Sequence, residues 1–461
     1  MLDHAVISKV LSAAVGTGAE HAEIFVERKR STALKLEAGR VEDVASGADS
    51  GAGIRVISGD KVAYAYSNLL DEPSLIEAAH AARAGLATSG SGDVTDLTVA
   101  EPPVGHPVGR APLDVDLGEK VLALQTADEA ARSAGAEVRQ VSTSYMDVEQ
   151  HVLIANSDGL LVEDDRTRVR FAVQVTAGRD DRIATGFEAP GHSGGFELLE
   201  IRPPGELGAK AAEKALKMLD ARPAPAGEFP VVLAPGTGGV LIHEACGHGL
   251  EADTLMKQAS VYASRQGERF GSEDVTIVDD GSDIGAWGSF GVDDEGTPAQ
   301  RTVLFESGVL VGHLSDRRSA AKIGHPPTGN GRRQSYAHLP IVRMSNTYLL
   351  PGPDDAEEII RSVERGVYAA TFAGGEVNPA TGNFVFGMSE AYMIENGELA
   401  YPLRGANLIG NGPAVLGAID AIGGDFGRKE GVCGKDGQHA PVTNGMSTVL
   451  LRKMTVGGTE A

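Results

Sequence analysis

In the first seventy residues apolar and polar positions alternate in short runs, over 22–27, 32–36, 53–57 and 62–66, most of them bounded by Gly, Asp and Asn. Strand side chains point alternately to the two faces of a sheet, so a period of two describes strands half-buried on one side. The breakers between the runs supply tight turns, and the simplest fold for such a segment is an antiparallel meander. The same grammar recurs later in the chain, whose 60 glycines provide many turn positions.

Helical spacing brackets this meander. Val6, Ile7, Val10, Leu11 and Ala14 recur at three and four residues, which predicts a helix over 4–15 stopped by Gly16. An Ala-rich amphipathic stretch predicts a second helix over 74–86. Residues 98–118 hold Pro102, Pro103, Gly105, Pro107, Gly109 and Pro112 and read as a linker. A helix over 117–134, with Gly135 placed to end it, is followed by strands over 138–176 and a further helix over 207–219. This order repeats that of the first hundred residues and suggests a loose internal duplication. The breaker Arg222-Pro223-Ala224-Pro225-Ala226-Gly227 marks the main boundary. The expected class is therefore α+β and strand-rich, in two domains. The N-terminal domain spans 1–222 (units 1–97 and 119–220 around the linker), and the C-terminal mixed α+β domain spans 228–461. Within the latter, Asn396-Gly397 between two apolar runs is a two-residue hairpin signal.

Charge removes some functions from consideration. With 64 acidic and 41 basic residues the formal net charge is −23, which repels phosphate backbones, so direct nucleic-acid binding is not expected. Arg317-Arg318 and Arg332-Arg333 are the only candidate basic patches. No apolar run is long enough to span a membrane, and the N-terminus lacks the basic region of a secretory signal. Two cysteines, Cys246 and Cys433, do not make a disulfide scaffold, so the expected compartment is the reducing cytoplasm.

The segment that carries chemistry is His243-Glu244-Ala245-Cys246-Gly247-His248, in a helix entered from the strand over 231–234 through Pro235-Gly236-Thr237-Gly238-Gly239. Hydrolytic zinc sites take three protein ligands and use a neighbouring carboxylate as base. Here His243 and His248 supply imidazoles and Glu244 the carboxylate. Histidines four apart sit about 40° apart around an α-helix; five apart, about 140°, too far round to share an ion. The spacing therefore predicts a loosened turn, a π-bulge or a helix end at Cys246–His248, with Gly247 the residue that makes it cheap. Candidates for the third ligand are Cys433, Cys246, Glu251, Asp253, His338 and His439. Cys433 lies in what reads as a glycine-rich loop, Gly431 to Gln438, and Cys246 reads as a small core residue.

The stretch from His243 to Asp253 resembles the signature of the TldD/PmbA family of metallopeptidases, on its catalytic TldD side. Three further stretches agree in order and spacing: Arg343-Met344-Ser345-Asn346-Thr347-Tyr348-Leu349-Leu350-Pro351-Gly352, Gly374-Gly375-Glu376-Val377-Asn378-Pro379-Ala380-Thr381-Gly382, and Cys433-Gly434-Lys435-Asp436-Gly437-Gln438. The resemblance extends over nearly the whole chain. It implies a zinc site of His243, His248 and Cys433 with Glu244 as catalytic base. It also implies a dimer, of like subunits or with a PmbA/TldE-like partner, enclosing a cavity that admits unfolded or short peptides. Family members mature peptide precursors and degrade unstable small proteins, and some are described as modulators of DNA gyrase. Cys246 departs from the family pattern, where a small apolar residue is usual.

A zinc peptidase is thus expected, hydrolysing peptides with Glu244 as the proton carrier. A non-hydrolytic metal-binding regulator or partner subunit is the alternative. Tyr336, His338 and Arg343 are candidates for stabilising the oxyanion, and a substrate backbone could add to a sheet edge.

Overall fold

The computed structural model describes residues 2–16, 19–86 and 94–459. Residues 1, 17–18, 87–93 and 460–461, which fall within the two domain spans read from sequence, lie outside the described residues. The chain is strand-rich α+β, as its patterning requires.

Both N-terminal units contribute to one eight-stranded sheet. Its path runs Lys61–Ser67, Arg40–Ser58, His21–Glu37, Val138–Asn156, Leu160–Arg179 and Thr98–Ala100; Arg182–Glu188 and Gly191–Ser193 also pair with Leu160–Arg179. The seam between the units is antiparallel, from Glu23 opposite Asn156 to Glu37 opposite Ser142. The runs over 22–27 and 32–36 belong to one strand, His21–Glu37, rather than two. Between them stand Arg28, Lys29, Arg30 and Ser31, without the Gly, Asp or Asn that bounds the later runs, so the strand continues unbroken.

Four helices cover one face. His4–Val15 and Glu72–Ala84 bury Ile7, Leu11, Leu75 and Ala79 against Ile24, Ile54 and Leu153. Leu117–Ser133 and Pro204–Met218 bury Leu124, Ala131, Ala211 and Ala215 against Leu34, Leu36, Phe171 and Val173. On the opposite face Phe25, Val152, Ile154 and Val162 meet Val292 and Tyr336 of the C-terminal half. Ile24 and Phe25 thus face different layers, as a period of two demands.

Ion pairs fasten the two halves together. Arg333 donates to Glu23 at 2.6 Å, Arg55 reaches Glu23 at 2.5 Å and Glu295 at 2.6 Å, and Arg166 donates to Asp294 at 2.6 Å. All of these groups are buried. Arg332 donates to the carbonyls of Met344 and Pro441. Arg317 pairs with Asp158, and Arg318 donates to the Asp60 carbonyl. The two candidate basic patches are therefore occupied in holding the structure together.

The C-terminal half contains a sheet that runs Arg365–Val377, Gly227–Leu233, Val449–Gly457, Asn407–Asn411, Asn383–Glu395, Glu398–Arg404 and Arg222–Pro223. Its first strand also pairs with Asn383–Glu395, so the sheet closes on itself. The hairpin at Asn396-Gly397 is present, with φ of 54° and 80°. A second, six-stranded sheet ends in Gln438–Met446 and, at its edge, Gly427–Lys435. The segment that reads as a glycine-rich loop is thus a hairpin. Asp436 and Gly437 (φ 50° and 73°) form its two-residue turn, and Cys433 stands opposite Ala440.

Candidate metal centre

The strand Gly227–Leu233 runs into a short α-helix, Gly239–Ile242, which passes into a π-turn, His243–Gly247, and then a 3-10 turn, His248–Leu250. The backbone N–H of His248 donates to the carbonyl of His243, so the five-residue bond joins the two histidines. The extra residue in that turn brings side chains five apart onto one face. Gly247 serves here in a way that its flexibility does not suggest. It sits at φ −56° and ψ −58°, ordinary helical values open to any L residue. What it supplies is space: a Cβ there would lie 1.9 Å from Met344 Sδ.

The imidazoles stand nearly perpendicular, with centroids 5.1 Å apart. His243 Nε2 is 3.3 Å from Cys433 Sγ, and His248 Nε2 is 3.4 Å from the same sulfur. The three donor atoms all lie within 4.8 Å of one another. Tetrahedral zinc, with Zn–N near 2.0–2.1 Å and Zn–S near 2.3 Å, sets donor N···S separations of about 3.5 Å. Two imidazole nitrogens and a thiolate at these spacings fit zinc in both donor chemistry and size.

Neighbouring charges fit the same purpose. Burial pushes the Cys433 thiol up, but His243 and His248 beside it outweigh burial and hold it down at about 4. Burial lowers both histidines; the Cys433 thiolate at His243, and Glu251 with Cys433 at His248, more than reverse this and raise them. Cys246, by contrast, is buried against Tyr262, and desolvation pushes its thiol up to about 12. It packs in the core with Leu241, Ile242 and Leu250 and stands outside the donor cluster.

His248 Nδ1 is 3.1 Å from Glu251 Oε2, and Glu251 is 3.0 Å from Lys435 Nζ. Lys435 also reaches Asp253 at 2.8 Å and donates to the Val342 carbonyl at 3.0 Å. A carboxylate on the second ring nitrogen fixes the ring's orientation and leaves Nε2 free to bind. His243 Nδ1 is buried without such a partner. Arg343 donates to the carbonyls of Cys433 at 2.5 Å and Gln438 at 3.2 Å, which holds the Cys433 hairpin in place.

Glu244 is half-buried beside the donors, its Oε2 3.7 Å from His248 Nε2. With His248, Cys433, Glu376 and Asp436 it lines a groove of about 540 Å³. Of the other sequence candidates, Glu251 orients His248 and Asp253 holds Lys435, while His439 is exposed on the strand after the turn. Tyr336 bonds Asp49 and Glu27, His338 bonds Ser335, and Arg343 bonds the hairpin; none of the three lines the groove. Sequence reasoning does not single out Lys435 or Met344. Both stand inside the stretches that resemble the family, which is the only signal the sequence holds for them.

Three family models of the PmbA/TldA metallopeptidase match the chain: domain 1 over residues 22–85, the central domain over 110–219 and the C-terminal domain over 226–458. A metalloprotease TldD homolog of Haemophilus influenzae is 38% identical over 452 residues, covering 95% of this chain and 93% of that protein. A metalloprotease of Methanothermobacter thermautotrophicus is 38% identical over 443 residues, 95% and 96% of the two chains. Among solved structures, a protein of Thermotoga maritima described as a modulator of a DNA gyrase superposes with a TM-score of 0.79 at 24% identity, covering 95% of this chain and 96% of that one. TldE from Thermococcus kodakarensis superposes with a TM-score of 0.75 at 20% identity over 95% and 97%. These two structures share the fold.

Proposed function

Because this chain belongs to the TldD/PmbA family of metallopeptidases, we propose that it is a zinc-dependent peptidase acting on unfolded or short peptides in the cytoplasm. The observation that carries the reading is the meeting of two imidazole nitrogens and one thiol sulfur beside a half-buried carboxylate. His243, His248 and Cys433 hold the metal, and three protein ligands rather than four is the count of a catalytic zinc site. Zinc held there supplies a Lewis acid that polarises a carbonyl and acidifies water. Glu244 takes the proton of the attacking water and delivers it to the leaving nitrogen. Glu251 keeps His248 turned toward the site, and Arg343 keeps Cys433 within reach.

An extended peptide lies along the edge strand Gly427–Lys435, whose backbone borders the groove, so that recognition depends little on side-chain shape. The assembly is a dimer, of like subunits or with a TldE-like partner, that encloses the groove; precursor maturation and removal of unstable small proteins suit such an enclosure. The test is zinc content and cleavage of unfolded peptides by the chain alone and with a TldE-like partner. Expected are about one zinc per chain and cleavage that Glu244→Gln abolishes while metal is retained. No metal in either preparation overturns the reading. A non-hydrolytic gyrase regulator, suggested by the description of the Thermotoga protein, predicts instead that Glu244→Gln leaves the biological effect intact.

A further inference from the structure

The groove beside Glu244 is unevenly charged, and the imbalance bears on which peptides it takes. Glu376, at the end of the strand Arg365–Val377, and Asp436, in the turn after Gly427–Lys435, line it from two different hairpins. Both are exposed, and among the described residues neither has an ion-pair or side-chain hydrogen-bond partner. The one ammonium in the lining, Lys435, is committed: Glu251, Asp253 and the Val342 carbonyl take its three donors. Glu251 itself, 1% exposed in the same wall, has Oε1 without a hydrogen-bond partner. Glu244 adds a further carboxylate.

We infer that Glu376 and Asp436 select peptides with a cationic group, an ammonium or guanidinium, close to the bond that is cut. This rests on the peptidase reading and names the substrate class of that site. An approaching cation meets two carboxylates free to pair with it. An acidic side chain there meets like charge from both hairpins, and the committed Lys435 is not available to offset it. Each solvent-exposed pair is modest, about two- to fivefold, so the two together amount to about tenfold between a cationic residue and its neutral isostere. The shared chemistry can come from a Lys or Arg side chain or from a free α-ammonium.

The test uses the full zinc-loaded chain, with a TldE-like partner wherever cleavage requires one. A peptide series carries Lys, Gln or Glu at each position in turn, each peptide with a free and with an acetylated N-terminus. Expected is a kcat/KM for the best Lys position about tenfold above Gln and further above Glu. The ratio should shrink between about 50 and 500 mM salt and fall toward one in Glu376→Gln/Asp436→Asn. A fall in kcat/KM on acetylation in Lys and Gln peptides alike assigns the cationic group to the α-ammonium; a Lys-over-Gln ratio that persists in acetylated peptides assigns it to the side chain. Binding of fluorescent Lys and Glu peptides to the Glu244→Gln chain reads the same selectivity without turnover. Equal binding and equal cleavage across the series overturn the inference, as does a preference that survives in the double variant. Selective binding without cleavage in any preparation would instead overturn the peptidase reading and leave only the groove's preference for cationic peptides standing.

Discussion

Replacing Gly247 by Ala tests how the proposed zinc site is held. The added Cβ would stand 1.9 Å from Met344 Sδ and 3.0 Å from its Cε, where van der Waals contact needs about 3.5–4.0 Å. Either the methionine or the turn must therefore retreat by about 2 Å. Met344 is fully buried, and its carbonyl is fixed by Arg332 at 2.5 Å. Overpacking of this kind costs about 1–3 kcal/mol. If the turn gives way instead, His248 moves with it, and zinc ligation tolerates only about 0.2 Å. The expected outcome is a lower melting temperature together with zinc affinity reduced about tenfold or more, measured by chelator competition. Backbone strain makes no contribution, because Gly247 already has helical angles. Were flexibility its purpose, Ala would stabilise the helix by up to about 1 kcal/mol. A double-mutant cycle with Met344→Ala isolates the clash: the second change should recover some of the zinc affinity lost in the first. Wild-type zinc affinity and an unchanged or raised melting temperature in Gly247→Ala would refute the packing argument, and so would strict additivity in the cycle.

Other expectations concern the ligands and the seam between the two halves. Cys433→Ser should lower zinc content sharply, whereas Cys246→Ala should leave it nearly unchanged; the reverse, by metal analysis, would reassign the third ligand. In Arg343→Lys a single ammonium cannot span the carbonyls of Cys433 and Gln438, so zinc affinity should fall by about tenfold with little change in far-UV circular dichroism. Burial pushes the Glu23 carboxyl up, but Arg55 and Arg333 outweigh it and hold the group down at about 2. Its folded pKa lies below the unfolded value of about 4.3, so the stability it contributes is full above that pH and is lost as pH falls toward 2. Glu23→Gln should therefore flatten the fall in melting temperature between about pH 5 and pH 3. At neutral pH it should cost about 1–3 kcal/mol, since Arg55 keeps Glu295 and Arg333 keeps the Asp294 carbonyl while both lose the Glu23 charge. A wild-type acid profile in that variant would contradict this account.

Much of the local structure was legible because its causes are local. The alternation over 32–36, the stop at Gly16 and the Asn396-Gly397 turn depend on neighbours a few residues away, and each appears where the sequence places it. The run over 22–27, by contrast, is buried on both faces, because the C-terminal half covers the second one. The spacing of His243 and His248 required a loosened turn for the same reason, since helix geometry alone rules out a shared face at five residues. Tertiary structure decided what depends on contacts distant in sequence. It joined two similar N-terminal units into one sheet and turned Arg332 and Arg333 from a possible basic patch into buried fastenings. It made an edge strand of the segment around Cys433, and it gave Gly247 its purpose through the sulfur of Met344. No periodicity encodes a sulfur that reaches His243 from 190 residues away, or a side chain that fills the space beside a glycine. Those are fixed only when the strands that carry them pack against the histidine turn.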